Sequence, residues 1–170
     1  MKKLMIASAI AMTMVAGSVM ASQGDVQFFG NVTAATCDVT PDVGGNITNM
    51  VQLGTVSTNG AGNEIPLVFK AKNAQGGECQ SLTGKTATVA WSGPLTDKGI
   101  ANQGGVANDA YVILTSTNAK ANQAVTKDKN AVDFDAAKAI SDGLAFKAQL
   151  KGGATAGDFR SAAAYAVTYK

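Results

Sequence analysis

Ala163-Ala164-Tyr165-Ala166-Val167-Thr168-Tyr169-Lys170 is the stretch on which the fold turns. In an extended chain side chains alternate between two faces, so Ala163, Tyr165, Val167 and Tyr169 line one side of a strand. The sequence stops with this strand, where a seven-stranded sandwich would normally add one more to close itself. A last strand with an unpaired edge and uncovered apolar side chains is an aggregation site unless something pairs with it. Near the other end, Val26-Gln27-Phe28-Phe29-Gly30-Asn31-Val32 alternates in the same way and puts Val26, Phe28, Gly30 and Val32 on one face. That segment can fold back within its own molecule, or insert beside the last strand of a neighbour by β-strand addition. Identical subunits exchanging strands head to tail do not close on themselves, so the second arrangement propagates as a fibre.

Between these two runs the chain is a succession of short β-type segments, at 35–39, 50–53, 65–71, 86–91, 110–115, 131–134 and 144–150, with the last at 162–169. Turn signals separate them: Gly44-Gly45, Asn59-Gly60, Gly76-Gly77, Gly93-Pro94, Gly104-Gly105 and Gly152-Gly153. Short strands at such spacing point to an antiparallel sandwich. No long segment has helical periodicity, and residues 135–141 are expected to make a turn or two of helix before Gly143. There is no internal repeat, charge block or linker.

The first residues are a different kind of sequence. Lys2 and Lys3 precede an uncharged run from Leu4 to Met20, and Val19 and Ala21 are small residues placed for cleavage before Ser22. This is the pattern of a secretory signal peptide over 1–21, cut between Ala21 and Ser22. A transmembrane anchor is the alternative, but the run is interrupted by Ser8, Thr13, Gly17 and Ser18 and falls short of the ~20 apolar residues a span needs. Removing the leader takes Lys2 and Lys3 from the 14 basic side chains, leaving 12 against 12 acidic ones. Export also decides how Cys37 and Cys79 read: an even pair bound for an oxidising compartment is a disulfide, whereas a metal or redox site would want CxxC spacing or histidine partners.

Composition excludes several functions. There are no histidines, which removes the commonest general base and zinc ligand. Charged residues make up 15% and are scattered, which excludes nucleic acid as a main partner because phosphate neutralisation needs clustered Lys and Arg. Asp133 and Asp135 lie two apart, as a pair of glycosidase carboxylates might, but alternation with Val132 and Phe134 reads better as a solvated strand face. Asp128-Lys129-Asn130 begins like a calcium loop, yet the fifth position is Val132 and no glycine follows at the turn. Asn31-Val32-Thr33 and Asn46-Ile47-Thr48 match a glycosylation sequon, but a glycan on Asn31 would stand on the strand that inserts beside a neighbour and obstruct it. The seven serines that follow the leader have no histidine partner and no Gly-x-Ser-x-Gly elbow. No cofactor is expected.

Over essentially the whole exported sequence the chain resembles the major pilins of chaperone-usher fimbriae. The residues that carry the resemblance are Gly24 to Val32 leading to Ala34-Ala35-Thr36-Cys37, then Val51-Gln52-Leu53-Gly54 as a strand, Gly76-Gly77-Glu78-Cys79, and the tyrosine-containing C-terminus. Pilins of this class have a glycine fourteenth from the end and a penultimate aromatic, positions held here by Gly157 and Tyr169. Trp91-Ser92-Gly93, residues 101–109 and Ala148 to Gly153 are similar to the branch of the family found on pig-colonising, oedema-disease-type Escherichia coli.

The resemblance implies an all-β, incomplete immunoglobulin-like antiparallel sandwich lacking its last strand and completed in trans. Residues 22–34 would be the donor-strand extension and 35–170 the pilin domain. Val26, Phe28 and Val32 would fill pockets along a neighbour's groove and Gly30 would sit where the groove has no room for a side chain; the alternative is an ordinary first strand with a bulge glycine. Gly157, Tyr165, Val167, Tyr169 and the carboxylate of Lys170 would form the edge offered first to a periplasmic chaperone and then to the donor strand. Plain core packing is the alternative for the tyrosines. Partners implied are identical subunits, the chaperone, an outer-membrane usher, minor or tip subunits, and a host surface reached through the fibre, with passage through the periplasm to the cell surface. Two other readings compete with a building block: a subunit that itself binds a host glycan or glycoprotein, for which Trp91 and Tyr111 are the aromatics to inspect, and a self-contained secreted enzyme or inhibitor.

Overall fold

The computed structural model describes residues 37–170, in which nine strands and two short helical turns follow one another. In order they are β1 (Val39–Val43), β2 (Asn46–Ile47), β3 (Ala61–Ala71), α1 (Gly77–Gln80), β4 (Thr86–Ser92), β5 (Ile100–Ala101), β6 (Tyr111–Ser116), β7 (Ala131–Asp135), a 3-10 turn (Ala136–Ile140), β8 (Leu144–Lys151) and β9 (Ala164–Tyr169). The leader, its cleavage site at Ala21 and Ser22, and the donor-strand residues Val26, Phe28, Gly30 and Val32 lie outside the described residues.

Period-two burial makes most of these strands. Ala87, Val89 and Trp91 of β4, Val132 and Phe134 of β7, and Leu144, Phe146, Ala148 and Leu150 of β8 are buried while their neighbours are not. Each strand therefore has a dry side and a wet side, and the dry sides face one another across two antiparallel sheets. One sheet runs β2-β1-β3-β8-β6-β5 and the other β7-β4-β9. Between them Phe69, Trp91, Phe134 and Phe146 interlock, with Trp91 and Phe146 edge to face at 5.5 Å between ring centroids and Phe134 and Phe146 at 5.3 Å. Such tilted and edge contacts suit the aromatic quadrupole and add to the burial of area.

Local chemistry sets the ends. The β1–β2 hairpin turns on Gly44 and Gly45 at φ 59° and 91°, the left-handed pair a two-residue hairpin wants. Asp42 accepts the Gly45 N–H at 2.7 Å and the Lys70 ammonium at 3.1 Å, contacts that hold its carboxyl below the usual range, Lys70 foremost. Asp135 accepts the Ala137 N–H at 3.2 Å and so caps the 3-10 turn expected over 135–141. The expected disulfide is present: Cys37 and Cys79, with Cα atoms 4.8 Å apart, tie the entry to β1 to α1.

Two expectations are corrected and one element is new. Residues 50–53 form no strand: Gly54, at φ 73°, ends the extended run, and Val51 and Leu53 pack against the core without joining a ladder. The strand expected over 35–39 instead begins at Val39 and runs on through Pro41, because Pro41 is paired with Phe69 and the apolar β3 partner outweighs proline's poor fit to a sheet. The short helix at Gly77–Gln80 was not expected, since it begins on a glycine with no side-chain cap.

The disulfide closes a loop over a sequence separation of 42 residues, for which chain entropy gives about 4 kcal/mol of stabilisation. A Cys37→Ser/Cys79→Ser protein should lose about that much unfolding free energy in a denaturant titration against the oxidised parent. A loss below about 1 kcal/mol would show that the loop is already restrained in the unfolded chain.

Candidate functional site

The last strand is seated by register. Tyr165, Val167 and Tyr169 of β9 stand opposite Trp91, Val89 and Ala87 of β4, all on the dry face, and all three pack half-buried against the core. Tyr165 lies 4.5 Å from Phe69 and 5.9 Å from Trp91 between ring centroids, while Tyr169 donates its hydroxyl to the Cys37 carbonyl at 2.9 Å. One tyrosine thus anchors β9 in the aromatic core and the other ties it across the sandwich to the disulfide. Burial raises the Tyr165 hydroxyl above its ordinary pKa, and burial with the nearby Asp38 charge pushes Tyr169 up to about 12. At the end of the strand Lys170 and Thr86 exchange main-chain hydrogen bonds at 2.7 and 3.0 Å, and Lys120 brings its ammonium to the same place by donating to Thr86 Oγ1 at 2.5 Å.

Alongside β9 and the irregular stretch that leads into it, the core is open. Residues 49–58 form one wall of a groove and residues 152–165 the other. Two adjoining cavities of about 510 and 780 Å³ make up the groove, joined where both are lined by Val51, Leu53 and Phe159. The floor of the first is the sandwich interior itself: Phe69, Trp91, Val112, Leu114 and Ala148 reach it from both sheets. Met50 and Val106, 65% and 66% exposed, add apolar surface near the second. Neither wall is a regular strand over most of its length, and buried side chains of both sheets reach the groove between them.

Gly157 sits in the wall of the second cavity at φ 150°, against the 106–107 backbone. A Cβ there would come within 2.6 Å of Val106 Cβ and 3.0 Å of the Ala107 nitrogen, so only glycine permits both the backbone angle and the close approach. The structure therefore brings Gly157, Tyr165, Val167 and Tyr169 to one groove and its adjoining strand, with Lys170 at the strand's far end. Sequence reasoning missed Val51, Leu53 and Phe159, which line both cavities. Phe159 offered a signal: a lone aromatic between Asp158 and Arg160 in a stretch without alternation.

Other candidate residues have ordinary roles. Asp133 accepts the Thr88 hydroxyl at 2.6 Å on the exposed strand face, Asp128 pairs with Lys127 at 3.1 Å, and no metal-holding cluster of acidic or cysteine side chains occurs among the described residues. Trp91 is 5% exposed, so it presents no face for a sugar, and the half-buried Tyr111 carries the Lys98 ammonium 5.7 Å above its ring.

Comparison with known proteins agrees with this geometry. No family model matches the chain. The F107 fimbrial protein of Escherichia coli is 56% identical over 171 residues, covering 100% of both chains, and the K99 fimbrial protein of Escherichia coli is 30% identical over 99% of both. The Major MR/P fimbria protein of Proteus mirabilis is 28% identical, over 100% of this chain and 99% of its own. Among solved structures, the P pilus rod subunit PapA superimposes with a TM-score of 0.51 over 87% of this chain and 100% of its own, at 19% identity, a likeness of fold. The expectation of an immunoglobulin-like sandwich is borne out by that likeness.

The seating of β9 can be tested by titration. Tyr169 ionises near pH 10 in an unfolded chain and near 12 in the folded one, so the unfolded state loses its proton first. Stability should be full below pH 10 and fall between about pH 10 and 12, and Tyr169→Phe should flatten that slope while costing about 1 kcal/mol at neutral pH through the lost bond to Cys37. Denaturation midpoints at pH 8 and pH 11 make the comparison; an equal alkaline loss in both proteins contradicts it. Separately, Gly157→Ala should cost roughly 1–3 kcal/mol from backbone strain and the clash with Val106.

Proposed function

The chain belongs to the fimbrial subunit family, and from that premise we propose that it is a shaft subunit polymerised by donor-strand exchange after delivery by a periplasmic chaperone to an outer-membrane usher. It is a structural subunit and not an enzyme, its neighbours in the fibre are copies of itself, and its place is the surface fimbrium. The observation that carries the proposal is the groove beside β9, whose floor is made of the side chains that form the core.

A groove floored by Phe69, Trp91 and Leu114 is unfavourable to leave in water, since apolar area costs about 25 cal/mol per Å². In this reading the leader ends at Ala21, Ser22 begins the exported chain, and residues 22–34 are the extension that reaches the next subunit. Val26, Phe28 and Val32 enter the neighbour's groove, each contributing ~1.5–3 kcal/mol on burial, and Gly30 takes the position where no side chain is to be accommodated. Main-chain hydrogen bonds along the inserted strand add to this, so the joint opens slowly. Before assembly the chaperone covers the same groove against Tyr165, Val167 and Tyr169 and holds the carboxylate of Lys170, where Thr86 and Lys120 already gather donors. Minor or tip subunits and contact with a host surface through the fibre complete the arrangement.

Deleting residues 22–34 and adding that segment back as a peptide tests the reading. The deleted subunit should stay soluble only with chaperone or peptide, and peptide at a hundredfold excess over Kd should stabilise it by about 2.7 kcal/mol. A deleted subunit that is stable and monomeric with neither contradicts it. For the carboxylate, a short extension after Lys170 should reduce chaperone capture severalfold in a pull-down; unchanged capture and polymerisation would remove that role.

A further inference from the structure

One wall of the groove has no ladder behind it. Between the end of β8 and the start of β9 the chain runs irregularly from 152 to 163, yet it forms a side of both cavities and carries Gly157. What holds it is the loop at 101–109, through main-chain bonds from Gln103 and Gly104 to the Arg160 carbonyl and from Ala107 to the Asp158 carbonyl, bonds from Ala162 N–H to Gln103 Oε1 and from Ser161 Oγ to the Ala101 carbonyl, and a side-chain clasp near each end of the loop. Asn102 Oδ1 accepts the N–H of Arg160 at 3.0 Å and of Gly104 at 3.1 Å, while Asn102 Nδ2 donates to the Ala107 carbonyl at 2.8 Å and the Gly105 carbonyl at 3.1 Å. One amide thus has every donor and acceptor position used and links loop to wall. At the other end of the loop the Asp109 carboxylate accepts the N–H of Ala154 at 2.6 Å and of Thr155 at 3.2 Å. Gly153 lies so close that a Cβ there would strike that carboxylate.

Two clasps at the ends of one loop hold the two ends of the wall. The separation of function is clear from position: Asn102 and Asp109 themselves stand behind the wall, and neither is among the side chains that line the cavities. We propose that Asn102 and Asp109 are positioning residues that fix the 154–160 segment as the groove's wall and so set the seat for one end of the donor strand. The inference rests on the donor-strand reading and goes beyond it by assigning the geometry of one end of the seat to two residues outside the groove. It also gives a physical role to residues 101–109, one of the stretches similar to its branch of the family: they are the half of the clasp that grips 154–160.

A locally placed wall makes a prediction that general stability does not. The subunit lacking 22–34, loaded with the 22–34 peptide, is prepared as parent, Asn102→Ala and Asp109→Asn, the last because an amide has one acceptor oxygen where the carboxylate uses two. Dissociation rates are measured for the native peptide and for peptides carrying Val26→Ala or Val32→Ala. Both clasp variants should release the native peptide about tenfold faster. With the alanine at the end that lies against the wall, the clasp variants should add less than threefold; with the alanine at the opposite end the tenfold effect should persist. The same factor for all three peptides, which is what a merely weakened fold would give, overturns the inference, as does no change in either variant. A parent subunit that takes up no peptide overturns the donor-strand reading and this inference with it.

Discussion

The contact between β9 and β4 carries the rest of the structure. Tyr165 over Trp91, Val167 over Val89 and Tyr169 over Ala87 place the last strand on the dry side of a three-stranded sheet that would otherwise have only β7 beside β4. Tyr165 completes an aromatic core with Phe69 and Trp91, and Tyr169 reaches the disulfide through the Cys37 carbonyl. Lifting β9 would therefore uncover the interior of both sheets and release the link to the disulfide at once. The same placement leaves the interior open along the walls at 49–58 and 152–165. A sandwich whose core is reached from a groove beside its final strand has a surface that favours association, which is the physical root of the assembly proposed for it.

Much of this was legible in the sequence, for a reason that can be stated residue by residue. Where one face is buried and the other wet, period two is imposed on the sequence, and β4, β6, β7 and β8 match expectation to within a residue. The pair Asp133 and Asp135 read correctly as a wet face for the same reason: Val132 and Phe134 between them are the buried set. The tyrosines of β9 are legible from the same alternation, whereas Gly157 was found through family resemblance, and the structure supplies the cause, an approach to Val106 that no side chain would survive.

What was not legible depends on contacts between distant segments. Val51-Gln52-Leu53 has the composition of a strand, and its apolar residues are indeed turned to the core, but as a groove wall. β1 runs through Pro41 because β3 lies beside it, a fact no local window contains. β2 and β5, two residues each, are too short for any periodicity to register. The bonds from Asn102 to Arg160 and from Asp109 to Ala154 span 58 and 45 residues and leave no mark in composition. Composition did serve in another way: a chain without histidine, and neutral once Lys2 and Lys3 are removed, has little to repel its own copies in a fibre.

The central claim is that the groove beside β9 is filled by the N-terminal segment of a different subunit, and cross-linking across the joint measures this most directly. Two populations would be assembled together, one bearing Phe28→Cys and the other Ala163→Cys, the second position being in the groove wall. Oxidised fibres should yield, by mass spectrometry, a disulfide joining residue 28 of one chain to residue 163 of another. A protein carrying both changes that forms the 28–163 link within a single monomer, with no link between chains in the mixed fibre, would contradict the account.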